Sequence, residues 1–217
     1  MEKLEVLWFQ SQLLEWATFN LRDFPWRRTS EPYKIFVAEC LLQRTSAVAV
    51  VPVYLLLLEK YPTLESLVGS VADLTELLQP LGLSFRAERL CQSASMICKK
   101  YNGIIPDSER LLLELPGVGK YTARAICASA FGLPVAVLDT NVVRIIERFF
   151  GLKGDRVKSR CRILWAAADA MAPVNDVGRW NLTLLDFGAG VCIARKPKCE
   201  VCPLKERCNY FSLRVSI

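Results

Sequence analysis

Histidine is absent from all 217 residues. Without an imidazole the chain cannot run Ser-His-Asp or Cys-His hydrolysis, ligate a metal through histidine, or use histidine as acid or base. Any catalysis falls to carboxylates, Tyr, Lys, Cys, hydroxyls or a cofactor. Long apolar runs are also missing. The longest, Ala47 to Leu58, is interrupted by Pro52 and is too short to cross a bilayer. No charged, apolar and small-residue cleavage pattern opens the chain, because Glu2, Lys3 and Glu5 precede a short amphipathic segment. The chain therefore reads as soluble, unexported and cytoplasmic. Period-two alternation is nowhere sustained, and there is no internal repeat or low-complexity linker.

What is present points to helices. Hydrophobic residues make up 52% of the chain, enough for a core, and the length allows one large domain or two small ones. Apolar positions recur at three and four in Leu4–Trp16, Ile35–Leu42, Arg86–Ile97, Arg110–Leu113, Tyr121–Ala130, Val142–Phe149, Ile163–Met171 and Trp180–Phe187. The fold class is all-α. Pro52 should kink or split its helix, and Asp107 or Ser108 is placed to cap the helix entering Glu109. The net charge of +6 suits a nucleic-acid partner, although many ordinary proteins are as basic.

Five of the nine cysteines (Cys40, Cys91, Cys98, Cys127 and Cys161) lie singly in apolar helical stretches and read as buried small hydrophobes. The other four, Cys192, Cys199, Cys202 and Cys208, follow one another with gaps of six, two and five residues. In an unexported chain such a cluster favours a metal over disulfides. Structural zinc usually takes two Cys-x2-Cys knuckles, and only Cys199–Cys202 is one. Wider, uneven gaps suit an iron–sulfur cluster better, with zinc the rival reading. The same loop carries Arg195, Lys196, Lys198, Lys205 and Arg207, either a solvated surface or one that faces phosphates.

The segment Leu113 to Ala123 reads as a helix ending at Leu115, a turn through Pro116-Gly117-Val118-Gly119, and a new helix from about Lys120. Gly117 and Gly119 permit close backbone approach, and the new helix presents free N–H groups. Such a turn can grip a phosphate, with Lys120 adding charge. Alone it is usually just a helix connection. Asp139, eighteen residues after Tyr121, makes it more specific.

Leu-Pro-Gly-Val-Gly-Lys-Tyr-Thr-Ala (residues 115–123), with Val137 to Arg144 beyond it, resembles the helix-hairpin-helix Gly-Pro-Asp motif of the endonuclease III superfamily of DNA glycosylases. The terminal Cys-x6-Cys-x2-Cys-x5-Cys is similar to that family's 4Fe–4S loop. Phe24-Pro25-Trp26-Arg27 and Glu39 to Thr45 look like the opening of MutY-type and mismatch-type members. The resemblance covers nearly the whole chain, from about Leu4 to Phe211.

It implies a two-lobed helical protein. Residues 29–132 would form a six-helix barrel containing the hairpin, and 1–28 with 133–217 a cluster lobe. Double-stranded DNA would lie across the cleft, with one mismatched or damaged base flipped out, since a glycosidic bond is not reachable inside the stack. A 4Fe–4S cluster on Cys192, Cys199, Cys202 and Cys208 is the implied cofactor, and the implied state is monomeric.

The same resemblance assigns roles to single residues. Asp139 matches the catalytic aspartate that stabilises a cation-like sugar, and it would also cap the helix of Asn141–Arg144. Glu39 aligns with the glutamate that protonates the departing base, a role suited by burial among Val37, Ala38, Cys40 and Leu41. Bifunctional relatives carry lysine where this chain has Tyr121, which implies a monofunctional enzyme with Tyr121 against the flipped base or sugar. Its other reading is a half-buried interface aromatic. Gln43 matches a residue that probes the vacated gap. Leu83 looks like a wedge entering the stack or, equally, a core plug. Gly117, Gly119, Lys120, Thr122, Arg195, Lys196 and Lys198 complete the implied DNA-binding set.

MutY-type adenine glycosylases usually add a C-terminal domain, for which the nine residues after Cys208 leave no room. The thymine–guanine mismatch glycosylases (MIG type) lack it and share Leu81-Gly82-Leu83-Ser84 and Ala194 to Glu200. The implied activity is removal of thymine, and of uracil, opposite guanine. Adenine removal is the alternative, and a non-catalytic iron–sulfur DNA-binding protein is a further one.

Overall fold

The computed structural model describes residues 1–82 and 85–215. Among them it holds eleven α-helices, short 3-10 turns and no strand. The chain divides into two compact units, Met1–Arg22 with Gly132–Ile217, and Asp23–Phe131. The first boundary falls at Arg22–Asp23 rather than near Thr29, and the second one residue earlier than 132/133. The turn Pro25–Arg27 belongs to the unit Asp23–Phe131, because Trp26 is buried edge-on against Tyr54 at 5.4 Å.

The unit Asp23–Phe131 contains α2 (Pro32–Leu41), α3 (Ala47–Lys60), α4 (Val71–Leu78), α5 (Phe85–Tyr101), α6 (Glu109–Leu112) and α7 (Lys120–Phe131). Small residues make α7 its central strut. Thr122 through Ala128 are all buried, and α2 packs against them with Ile35, Phe36, Val37, Ala38 and Leu41. Pro52 does not split its helix: α3 runs unbroken from its Ser46 cap, whose hydroxyl accepts from the Ala49 N–H. The proline is exposed and costs the helix one bond, to the carbonyl four residues back. Val50, Val53, Tyr54 and Leu57 form the buried face and hold α3 in place. Before the hairpin, regular helix ends at Leu112 rather than Leu115, and single turns carry the chain on, Leu115 N–H to Leu112 and Val118 N–H to Leu115. Ser108 is the cap residue of α6, without a side-chain bond.

The other unit contains α1 (Lys3–Asn20), α8 (Thr140–Phe150), α9 (Arg162–Ala170), α10 (Val177–Gly190) and α11 (Asn209–Val215). Val6, Phe9, Leu13 and Ala17 recur at helical spacing on α1 and are all buried. Phe9 sits 4.7 Å from Phe149 of α8 and 5.8 Å from Trp180 of α10, so one aromatic knot joins three helices. Gly188 brings α10 close onto the start of α8. A Cβ there would lie 2.5 Å from the Asn141 Cβ. No described helix is long and apolar enough to cross a membrane.

Candidate active site

The hairpin is built by side chains reaching in from neighbouring helices. Gly117 has φ +81°, and the Arg89 side chain lies where its Cβ would be, with Cδ at 2.9 Å. Both facts require glycine. Gly119 differs, because its φ is ordinary and a Cβ would meet open space. Nothing within the described residues demands glycine there. The Gln43 amide donates to the Gly117 carbonyl at 3.0 Å and to Thr122 Oγ1 at 3.4 Å, and Ser93 donates to the Pro116 carbonyl. Thr122 is buried, Lys120 is exposed and Tyr121 is half-buried. Leu83 lies outside the described residues.

Glu39 sits in the last turn of α2. Its Oε2 is buried and has no hydrogen-bond partner among the described residues, although the residue as a whole keeps some surface. Loss of hydration drives its pKa up to about 7, and the charge of Arg27 only partly opposes the rise. A carboxyl in this state is a proton donor at neutral pH. The turn after α2 is clamped by Arg86, which is buried. Its guanidinium donates to the carbonyls of Leu41 and Gln43 and to Thr45 Oγ1.

Asp139 caps α8. Its Oδ1 accepts from the N–H groups of Asn141 and Val142 at 2.8 Å each, and its Oδ2 accepts from the Asn141 amide at 2.7 Å. Burial raises its pKa, while those bonds and Arg144 pull it back down. The approach segment is pinned by buried Asn181, which accepts from the Val137 N–H and donates to the Val135 carbonyl. Arg144 extends the clamp: it donates to Asn141 Oδ1 and to the carbonyls of Gly188 and Cys192, each at 2.7 Å. One chain of hydrogen bonds thus runs from the aspartate to the cysteine loop.

That loop is anchored to α8 a second time. Arg148 donates to the carbonyls of Ile193 and Ala194 and toward Cys192 Sγ at 3.5 Å. Cys192, Cys199, Cys202 and Cys208 are all free thiols. Burial pushes the Cys202 thiol up to about 12, and the charges of Cys192, Cys208 and Cys199 add to the rise, so the four sulfurs share one locality. No three Cys, Asp or Glu side chains converge for a single ion among the described residues. Four thiols gathered in one locality are a donor set that fits an iron–sulfur cluster. Arg195, Lys196 and Lys198 are exposed on the same loop.

Residues 37–168 match the model of the HhH-GPD superfamily base excision DNA repair protein, and residues 192–208 match the iron–sulfur binding domain of endonuclease III. The chain belongs to the HhH-GPD superfamily. Its iron–sulfur domain begins at Cys192 and ends at Cys208, so all four cysteines fall within it, and an iron–sulfur cluster is its cofactor. Within the superfamily the chain is 38% identical to a thymine/uracil-DNA glycosylase of Methanothermobacter thermautotrophicus, over 94% of this chain and 93% of the relative. An adenine DNA glycosylase of Buchnera aphidicola is 32% identical over 96% of this chain, but only 60% of that longer protein is matched. A solved thermostable thymine-DNA glycosylase superposes with TM-score 0.92 at 36% identity, covering 96% of this chain and 97% of the other.

Sequence reasoning passed over the residues that hold these groups. Arg86 stands at the buried positions of α5 with Leu90 and Ser93, an arginine on an apolar face, which was the readable signal. Asn181 and Arg144 bond to backbone carbonyls more than forty residues away, and no local pattern reveals that.

Proposed function

We propose that this protein is a monofunctional DNA glycosylase that hydrolyses the N-glycosidic bond of thymine, and of uracil, paired with guanine. The observation that carries the mechanism is the contrast between its two carboxyls. The pKa of Glu39 is driven up to about 7 by burial that only Arg27 opposes, whereas at Asp139 the upward push of burial is opposed by the clamp at the start of α8 and by Arg144. As the C1′–N bond breaks, its electron pair leaves with the flipped base, and Glu39 supplies the proton that neutralises it. Asp139 faces the cation-like sugar and takes a proton from the attacking water. Tyr121 has no amine to attack C1′, so the abasic sugar is released without strand cleavage. Gly119, the N–H groups at the start of α7 and Lys120 hold a phosphate. Arg195, Lys196 and Lys198 hold others, on a loop whose shape the iron–sulfur cluster secures when bound. The thymine preference is supported by the thymine/uracil-DNA and thymine-DNA glycosylases, which are 38% and 37% identical to this chain, against 32% for the adenine DNA glycosylase.

The test is single-turnover incubation with end-labelled duplexes holding T·G, U·G, A·8-oxoguanine or thymine glycol, read with and without alkali. Cleavage at T·G and U·G that appears only after alkali is the expected result. Cleavage confined to the adenine strand would move the protein to adenine excision, and strand breaks without alkali would overturn the role given to Tyr121.

A further inference from the structure

The loop that follows α8 is strongly basic and takes no part in the chemistry above. Residues 151–163 hold Lys153, Arg156, Lys158, Arg160 and Arg162 against one acid, Asp155, a net of +4 where the whole chain carries +6. Lys158 is used internally: its ammonium pairs with Glu147 of α8 and donates to the Gly154 carbonyl. The other four cations are exposed, and their side chains make no hydrogen bond or ion pair among the described residues.

This loop is firmly built. Glu147 Oε1 accepts from the Gly154 N–H as well as from Lys158, so one side chain of α8 holds it at two points. A Cβ at Gly154 would lie 2.8 Å from Leu164 Cγ, so the backbone lies close on α9 and needs glycine there. The Asp155 N–H donates to the buried Cys161 Sγ at 3.3 Å, and the Trp165 indole donates to the Ser159 carbonyl at 2.9 Å. Lys153, Arg156, Arg160 and Arg162 thus stand on a fixed backbone.

Like charges held this close repel, and a surface with no binding task mixes both signs. A loop that only joins α8 to α9 gains nothing from four unpaired cations. An anionic partner relieves the repulsion. Three of the four are arginines, whose planar forks match phosphate oxygens. The DNA on which the superfamily acts is such an anion, with a charge about every 1.7 Å of its axis. Position indicates which DNA. Asp139 stands at one end of α8 and the basic loop leaves the other, about 16 Å away along the eleven-residue helix. With Asp139 at the sugar of the damaged strand, the loop is set back from that contact by the length of the helix.

We propose that the loop 153–162 is a second DNA-binding surface, which holds an undamaged duplex segment by its phosphates while another segment occupies the active site. Such a surface lets the protein pass between segments without full release. The proposal rests on the reading of Asp139 as the group at the sugar. To test it, the cluster-loaded protein is saturated with a donor-labelled duplex holding a stable abasic-site analogue, and an acceptor-labelled undamaged duplex is titrated in. Energy transfer is expected, half-saturating at about 1–100 µM at physiological salt, the range of sequence-independent binding. The triple variant Arg156→Gln, Arg160→Gln, Arg162→Gln should bind the second duplex about tenfold or more weakly, with the slope of log K against log salt lowered by about three. Lysine at the same three positions should keep the slope. Affinity for the abasic duplex and the melting point should be unchanged in both variants.

Absence of energy transfer would overturn the proposal, as would transfer that survives in the glutamine variant. A matching loss of affinity for the abasic duplex would put these arginines in the first footprint and overturn it too. Poly-glutamate bound by the loop where undamaged DNA is not would assign the surface to an acidic protein instead. The ternary complex needs no excision, so its failure leaves the excision reading standing, and loss of excision leaves the ternary complex measurable.

Discussion

Each compact unit holds one acidic side chain whose pKa burial raises, and the two differ in what opposes the rise. Glu39 is set among apolar neighbours and its Oε2 has no hydrogen-bond partner among the described residues, so removal of water is the leading influence on it. Asp139 is also largely removed from water, but two backbone N–H groups and the Asn141 amide meet it at 2.7–2.8 Å. Burial raises the pKa of both, and only at Asp139 do hydrogen-bond donors oppose the rise. Both devices are local. The first needs the apolar run Ile35–Ala38, and the second needs a helix that starts one residue after the aspartate. Two groups with similar ordinary pKa values are thereby pushed toward different tasks.

The largest test removes the anion and keeps its geometry. Asp139→Asn leaves an oxygen to cap α8 but no charge opposite the sugar. Single-turnover excision is expected to fall by about a thousandfold, the order reached when a positioned electrostatic stabiliser is lost, with duplex binding kept. A loss below tenfold would mean that Asp139 serves only as a cap, and the contrast between the units would have no catalytic meaning.

Next comes the acid. Excision by the unaltered protein should decline as pH rises through about 7, where Glu39 gives up its proton. Glu39→Gln should remove that limb from the profile and lower the rate by about a hundredfold or more. The same shift bears on stability, with a fixed sign. The folded state binds this proton more tightly than a chain with the ordinary value of 4.5. Its contribution is therefore complete below about 4.5 and is lost as pH rises through about 7, on the order of 3 kcal/mol in all. Glu39→Gln should melt higher than the unaltered protein at pH 8, with the gap closing toward pH 5. Melting curves that stay parallel across that range would show Glu39 to be ionised throughout.

The legibility of the two sites differs for the same reason that their chemistry does. Glu39 amid Val37, Ala38, Cys40 and Leu41 announces a buried carboxyl in the sequence itself, because its environment is its own helix. The Asp139 cap is also readable, since it bonds two and three residues ahead. The further supports were not. Arg144, Asn181 and Gly188 act across long chain separations, and Arg86 sits in a helix pattern that marks it as odd without saying what it holds. Helices were legible wherever apolar residues recur at three and four. Pro52 does not split its helix because its effect depends on which face it occupies: on the exposed face, packing of Val50, Val53, Tyr54 and Leu57 carries the helix through. The four cysteines were readable as a metal site from crowding alone, but the choice between zinc and a cluster needed the family.

The smallest expected effect separates the two carboxyls most cleanly. At Gly188 an added Cβ would come within 2.5 Å of the Asn141 Cβ and 3.3 Å of its Cα. Neither is the mobile end of a side chain, so Gly188→Ala must push α10 and the start of α8 apart. Overpacking of this kind costs about 1–3 kcal/mol, or a melting point lowered by roughly 2–4 °C for each of those. Asn141 also holds Asp139 Oδ2 and accepts from Arg144, so the displacement loosens the clamp on the anion. Excision should fall by about threefold to tenfold, in line with one weakened hydrogen bond to a charged group. The limb of the pH profile near 7 should stay where it was, because Glu39 and the apolar residues of α2 around it are untouched. If that limb moves with Gly188→Ala, the two carboxyls titrate as one coupled pair, and the separate assignment of acid and anion fails.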